Sequence, residues 1–208
     1  MTALSIPDAD ERGDIGAFIA RVVRLDPAAS ARLRAGTSLG ADTVTAWAST
    51  PFDVLATRTV HGCVDPPDVT VPANALLTAL AVERSATVDP GAGGFWPGEL
   101  PPESGWAAVD AVPAAEIDAI TERGLAVARE NAGPLGPPAS LLDQTVLTVS
   151  AAQGPTVKVP LRCLFALSGM GFVGGDEVRV SATGGWLRLD AHYGAVVRRR
   201  TLTLPLLV

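Results

Sequence analysis

One short segment, residues 186–193, carries the side chains whose types and spacing are best suited to chemistry. Successive side chains of a β-strand point to opposite faces. A strand here therefore places Arg188, Asp190 and His192 on one face, together with Trp186, and apolar side chains on the other. An Asp–His pair beside an arginine can hold an anion or orient a general base. These three residues are the candidate catalytic or ligand-binding residues.

The register of the following hairpin determines which residues of the next strand lie opposite these side chains. If residues 194–195 form a two-residue turn, Asp190 lies opposite Arg199 on the next strand. The alternative to a site is a solvated sheet face, on which each cross-strand ion pair contributes about 0.5 kcal/mol. The pattern favours the solvated face and leaves a ligand site open.

A glycine motif precedes this strand. Gly169, Gly171 and Gly174 have the spacing Gly-x-Gly-x-x-Gly, and Asp190 follows at the distance of a ribose-binding acid. A dinucleotide loop needs a strand before it and a helix after it. Here the pattern predicts a helix before the motif and a strand at 177–182 after it. We therefore interpret the motif as a helix-to-strand turn and expect no cofactor.

Histidine and cysteine give no metal-site pattern. The chain has His61, His192, Cys63 and Cys163, and only His61 and Cys63 are close in sequence. Structural zinc sites usually combine paired short loops of ligands, which are absent here. We expect no metal and two reduced thiols, which, with an acidic N-terminal segment unlike a secretory signal, predicts a cytoplasmic protein.

Large aromatic residues occur in a segment that is rich in glycine and proline. Residues 89–105 are typical of a linker or surface loop. Phe95 and Trp96 lie within this segment and Trp106 follows it. Such side chains either fold back onto their own domain as a buried flap or bind another chain. They are the candidate partner-binding residues.

The elements that position these residues predict an α+β fold in which helices cover antiparallel sheets. A first helix that ends near Asp26 is predicted by apolar residues at spacings of three and four from Ile15 to Leu25, with acidic residues among 8–11 near its start. Asp26 with Pro27 predicts a short second helix to Leu33. Alternation predicts a hairpin of strands at 43–49 and 54–60.

The C-terminal half is also predicted to combine helices with strands. A helix is predicted from Pro113 to about Ala132, with Gly124 on its inner face close to another backbone. Predicted strands follow at 145–150 and 156–159, then a helix, a strand at 177–182 and a closing hairpin. The predicted organisation is an N-terminal unit at 1–88, a linker with one long helix at 89–142 and a C-terminal unit at 143–208, or else a single domain.

Two segments resemble each other. Val69-Thr70-Val71-Pro72 precedes one predicted helix, and Val157-Lys158-Val159-Pro160 precedes another. The interpretation is a repeated strand–helix–strand unit; the alternative is chance recurrence in a chain rich in alanine and valine. The doubled unit resembles ring-shaped DNA sliding clamps, which alternate strands with short helices and are acidic overall. This resemblance implies an accessory of DNA metabolism with a basic concave surface.

Composition and missing motifs limit the remaining functions. The net charge of −6 and a pI near 4.9 disfavour binding to nucleic acid through a basic face. No apolar run approaches the roughly 18 residues of a membrane span. The common hydrolase, zinc-protease and NTPase signatures are absent. We therefore predict a non-catalytic protein-interaction or regulatory module, which binds a protein partner or a second copy. The alternatives are an enzyme or small-ligand binder that uses Arg188, Asp190 and His192, and a clamp-like accessory.

Overall fold

The computed structural model describes residues 2–82, 85–134, 136–151 and 156–200, and it separates the chain into two units. The first unit is Met1–Glu99 with Gly169–Gly171, and the second is Leu100–Ser168 with Phe172–Val208. Residues 89–99 thus lie with the first unit and residues 100–142 with the second. The division into 1–88, 89–142 and 143–208 stays a prediction.

The first unit consists of two antiparallel sheets and two helices. The elements are β1 (Ala3–Ser5), α1 (Ala9–Leu25), β2 (Ser30–Ser38), β3 (Ala41–Ser49), β4 (Leu55–His61), β5 (Cys63–Asp65), β6 (Asp68–Pro72), α2 (Ala73–Val82) and β7 (Thr87–Val88). One sheet has the strand order β6-β2-β3-β4 and the other has the order β5-β1-β7.

Helix α1 forms where the apolar spacing predicts it. Asp8 caps its start, because the carboxylate accepts hydrogen bonds of 2.9 Å from the backbone amides of Asp10 and Glu11. One face of the helix is buried in the unit, including Phe18 and Ile19. The predicted hairpin of β3 and β4 is also confirmed.

The predicted short helix from Asp26 to Leu33 is wrong. The Asp26 carboxylate accepts a hydrogen bond of 2.9 Å from the Ala28 amide, which makes a turn instead of a helix cap. The chain then enters β2, where Ala31 and Leu33 are buried and Arg32 between them is not. Period-two burial against the sheet overrides the Asp-Pro signal.

The second unit also consists of two antiparallel sheets with helices. The elements are β8 (Ala107–Pro113), α3 (Ala114–Glu130), α4 (Ala139–Leu142), β9 (Thr145–Ser150), β10 (Thr156–Pro160), α5 (Leu161–Gly169), β11 (Glu177–Ala182), β12 (Trp186–Ala191) and β13 (Gly194–Arg199). The two sheets have the strand orders β13-β12-β11-β8 and β10-β9.

Helices α3 and α5 meet at Gly124. A β-carbon built on Gly124 would lie 2.5 Å from a methyl carbon of Leu161 and 3.3 Å from the Phe165 ring. The expected close approach is present, but the neighbours are side chains and not backbone. Helix α5 is buried from Leu161 to Leu167 and forms the centre of this unit's core.

The predicted α+β class, with antiparallel sheets covered by helices, is confirmed. Pro72 and Pro160 each end a strand, and a helix begins at the next residue. Strand β8 lies where the sequence predicts only a linker. Of the helices in the described ranges, none is both long enough and apolar enough to cross a bilayer.

Candidate functional surfaces

The predicted face of β12 holds an ion pair. The Arg188 guanidinium donates to both carboxylate oxygens of Asp190, with Nε–oxygen distances of 2.8 and 3.0 Å. The Arg188 guanidinium lies over the Trp106 ring, with its carbon 6.0 Å from the ring centroid. Leu187 and Leu189 are buried on the opposite face. The predicted alternation is therefore confirmed for Arg188 and Asp190.

The predicted register of this hairpin is wrong. Its turn is at residues 192–193 and not at 194–195, so Asp190 pairs with Ala195. Arg199 lies opposite Trp186 and places its guanidinium carbon 5.2 Å from a ring centroid of that side chain. The glycine at 194 suggested the turn, but Gly194 pairs within the ladder.

His192 consequently lies in the turn, beyond the strand. Its ring makes an edge contact with the Tyr193 ring at a centroid distance of 4.5 Å. A β-carbon on Gly175 would lie 3.3 Å from His192 Nδ1, so the glycine-rich segment packs closely against this turn. The structure brings Arg188, Asp190 and Trp106 together. The use of Arg188, Asp190 and His192 as a catalytic or ligand site stays a prediction.

The glycine motif has the context that the sequence predicts. Helix α5 precedes it and strand β11 follows it, which is the reverse of a dinucleotide loop. Gly174 allows a tight contact, because a β-carbon there would lie 2.8 Å from the Tyr193 ring. The glycines therefore fit a packing role in the turn.

His61 is held by a carboxylate on another element. Its Nδ1 lies 2.7 Å from Glu11 Oε1, and its backbone amide donates to Glu11 Oε2 at 2.7 Å. This pair joins the first turn of α1 to the end of β4. Cys63 is exposed nearby in sequence, and Cys163 is buried in α5. No group of three potential metal ligands occurs among the residues that the structure describes.

The aromatic loop, residues 89–98, packs against the edge strand β6. The Gly94 amide donates to the Thr70 carbonyl at 3.0 Å, and a β-carbon on Gly94 would lie 2.8 Å from the backbone nitrogen of Val71. Trp96 is half-buried, whereas Phe95 is 78% exposed. The loop is thus anchored by its backbone and presents Phe95 outward.

Trp106 differs from Phe95 in its surroundings. Its indole N–H donates to the Pro102 carbonyl at 2.9 Å, and its ring is half-buried over Arg188. Of the three predicted partner-binding residues, Phe95 is therefore the one with a largely free side chain. Binding of a partner by Phe95, Trp96 and Trp106 stays a prediction.

Sequence reasoning missed two exposed features. Leu39 is 107% exposed at the tip of the β2–β3 hairpin. A groove of about 250 Å³ runs along α3 in the second unit, beside Val127, which is 42% exposed. The usual sequence signal of a two-residue hairpin turn is Asn-Gly. The tip has Leu39-Gly40 instead, so the sequence did not indicate this turn.

Two family models match the sequence, one for each half of the chain. The model described as a domain of unknown function, DUF8010, matches residues 1–95, and DUF8185, also a domain of unknown function, matches residues 101–203. The interval between them contains the boundary of the two structural units at Glu99 and Leu100. Comparison with curated proteins finds no match.

Solved structures with a similar fold include bacterial sliding clamps. The DNA polymerase III β subunit of Caulobacter crescentus is 14% identical with a TM-score of 0.55, and the match covers 98% of this chain and 66% of that one. The Pseudomonas aeruginosa subunit is 12% identical with a TM-score of 0.58, and the match covers 99% of this chain and 66% of that one. The Bacillus subtilis sliding clamp is 12% identical with a TM-score of 0.54, and the match covers 98% of this chain and 65% of that one. The chain has a sliding-clamp-like fold and spans slightly less than two thirds of the length of these clamps.

Proposed function

We propose that this protein is a non-catalytic, clamp-like module that binds another protein through the aromatic loop. The observation that carries the proposal is the anchored exposure of Phe95 on a sliding-clamp-like fold. An exposed aromatic side chain on a fixed backbone loses little conformational entropy when a partner covers it. Aromatic residues are also enriched at the centres of protein interfaces.

The ion pairs of the described residues support a binding role over a catalytic one. Arg188 is engaged by Asp190, and Glu11 by the amide and ring of His61. Acid–base catalysis needs a group that can exchange protons with a bound substrate, within hydrogen-bond reach of it. These pairs instead join neighbouring positions of sheets and helices.

The charge on the helices supports a protein partner over DNA. Helix α2 carries no acidic or basic side chain over Ala73–Val82. On α3 the exposed carboxylates outnumber the exposed guanidinium groups: Glu116, Asp118, Glu122 and Glu130 against Arg123 and Arg129. Sequence-independent DNA binding depends on cations that replace counterions along the phosphates. The clamp fold is therefore proposed to serve protein contacts in this chain.

A photo-crosslinking experiment tests the proposal in cells that produce this protein naturally. A photoreactive phenylalanine analogue replaces Phe95 in the full chain, and a matched variant carries it at Val82, which is 74% exposed on α2. We expect a discrete crosslinked protein from position 95 and not from position 82. Equal or absent crosslinking at the two positions would contradict the proposal.

Two further parts of the proposal concern origin and location. We propose that the two units are repeats, because in each a strand ends in proline and a helix begins at the next residue. Superposition of the separate units in an experimental structure tests this.

We also propose a cytoplasmic location, which is supported by the free thiols of Cys63 and Cys163. Fractionation of cells tests the location.

A further inference from the structure

The tip of the β2–β3 hairpin combines two unfavourable features. Ser38 pairs with Ala41, so Leu39 and Gly40 form a two-residue turn, and their φ angles are 50° and 81°. Positive φ at both central positions favours Asn-Gly, and leucine rarely adopts it. Leu39 is also 107% exposed, and residues 35–42 are all exposed. Backbone strain that persists at an exposed apolar residue points to a role in binding.

The groove along α3 in the second unit has matching apolar chemistry. Its volume is about 250 Å³, and its apolar lining and glycine come from α3, α4, β9 and α5: Ile120, Gly124, Val127, Leu141, Val146 and Leu161. An apolar cavity of roughly 150 Å³ is large enough to bind benzene, which has more heavy atoms than a leucine side chain. The groove can therefore accommodate a leucine side chain with its neighbouring backbone.

The charges beside the two features are opposite. Asp42 is exposed next to the hairpin tip, one residue beyond the Ser38–Ala41 pair. Arg123 lines the groove and is exposed. Neither side chain forms an ion pair within the described ranges of the chain. An apolar projection with an adjacent carboxylate thus complements an apolar groove with an adjacent guanidinium.

We propose that Leu39 of one copy inserts into the α3 groove of a second copy, where Asp42 faces Arg123. Each chain then supplies one projection, from its first unit, and one groove, from its second unit. This contact uses surfaces separate from Phe95 and goes beyond the proposed partner binding. A single buried leucine with one rim ion pair gives a weak, concentration-dependent association.

Sedimentation equilibrium of the full chain over a concentration series tests this contact. The first variant is Leu39→Asn. Asparagine readily adopts positive φ, so this change removes the apolar side chain and preserves the turn. We expect the wild-type chain to self-associate and Leu39→Asn to raise the dissociation constant at least tenfold. Val82→Ala, at a residue that is 74% exposed on α2, serves as the control and should associate as the wild type does, while circular dichroism checks that each variant is folded.

A charge exchange tests the partner surface independently. Asp42→Arg and Arg123→Asp should each weaken association, and the double variant should restore it. A wild-type chain that stays monomeric up to millimolar concentration would overturn the inference. So would unchanged association in both Leu39→Asn and Arg123→Asp. Loss of association in Phe95→Ala alone would assign self-association to the aromatic loop, and crosslinking at position 95 tests partner binding separately.

Discussion

Asp143 balances the charge of two largely buried arginines in the second unit. Its Oδ1 lies 2.8 Å from a guanidinium nitrogen of Arg162 and 3.3 Å from one of Arg198. The arginine side chains are 8% and 16% exposed, and the carboxylate is 51% exposed. A cation in a low-dielectric interior depends strongly on a nearby anion. Asp143 is therefore a structural residue.

Neutralising Asp143 should destabilise the fold. We expect Asp143→Asn to lower the free energy of unfolding by about 2 kcal/mol, less than for a fully buried pair because water reaches the carboxylate. Urea unfolding measures the change. Asp118→Asn, at an exposed position of α3, is the control and should change stability by less than about 0.5 kcal/mol. Equal stability of the two variants would contradict this role.

Asp68 gives a pH-dependent contribution in the first unit. The Arg32 guanidinium donates to both carboxylate oxygens at 2.7 Å, and this hydrogen bonding lowers the pKa of Asp68. A lowered pKa in the folded state means that the contribution is present above the unfolded pKa, near 3.9. It is lost as the pH falls through the lower folded value.

The unfolding free energies of the wild type and Asp68→Asn test this sign. We expect a difference of about 0.5 to 1 kcal/mol that is constant above about pH 5 and shrinks as the medium becomes more acidic. Since the pair is partly exposed, salt should also reduce the difference. A difference that grows on acidification would contradict the assignment.

At the scale of elements, the aromatic loop depends on a glycine that touches backbone. A β-carbon on Gly94 would lie within 2.9 Å of backbone atoms of Thr70 and Val71, which cannot rotate away. We expect Gly94→Ala to displace the loop from β6, to cost about 1 to 3 kcal/mol, and to speed hydrogen exchange of the residue-94 amide. Gly184→Ala, where nothing lies within 4 Å of the added carbon, should leave that exchange unchanged. Unaltered exchange in Gly94→Ala would show that the loop tolerates the added methyl group.

Elements with periodic burial could be predicted from sequence. Helix α1 and the β3–β4 hairpin follow their apolar spacing, because each buries one face. Strand β2 was missed because Asp26 and Pro27 suggest a helix start, whereas the burial of Ala31 and Leu33 is set by the sheet. Strand β8 has exposed alanines at its start and depends on pairing with β11. Strands β2 and β8 therefore depend on contacts between residues that are distant in sequence, which local patterns do not reveal.

The candidate surfaces show the same limit. Strand alternation placed Arg188 and Asp190 on one face, but the turn at 192–193 removed His192 from it. The aromatic residues were recognised by type, although the sequence could not separate exposed Phe95 from half-buried Trp96. The exposure of Leu39 and the groove on α3 depend on three-dimensional packing. Residue type and spacing therefore predicted candidates, and geometry was needed to choose among them.

At the scale of the whole molecule, a sliding-clamp-like fold is combined with a net charge of −6. We expect no salt-sensitive association with duplex DNA, because a net negative charge opposes the approach of the protein to the phosphates. Fluorescence anisotropy with a labelled duplex at about 50 and 200 mM salt measures this. Binding at micromolar concentration that weakens with salt would favour the clamp-like accessory of DNA metabolism instead.

The most direct test of the central claim is the affinity of the full chain for the protein crosslinked at position 95. Isothermal titration calorimetry compares the wild type with Phe95→Ala and with Val82→Ala, which removes another exposed apolar side chain. A partner that covers Phe95 should bind Phe95→Ala at least tenfold more weakly, a loss of about 1.4 kcal/mol, and should bind Val82→Ala with wild-type affinity. Equal affinity for Phe95→Ala and the wild type would contradict binding through the aromatic loop.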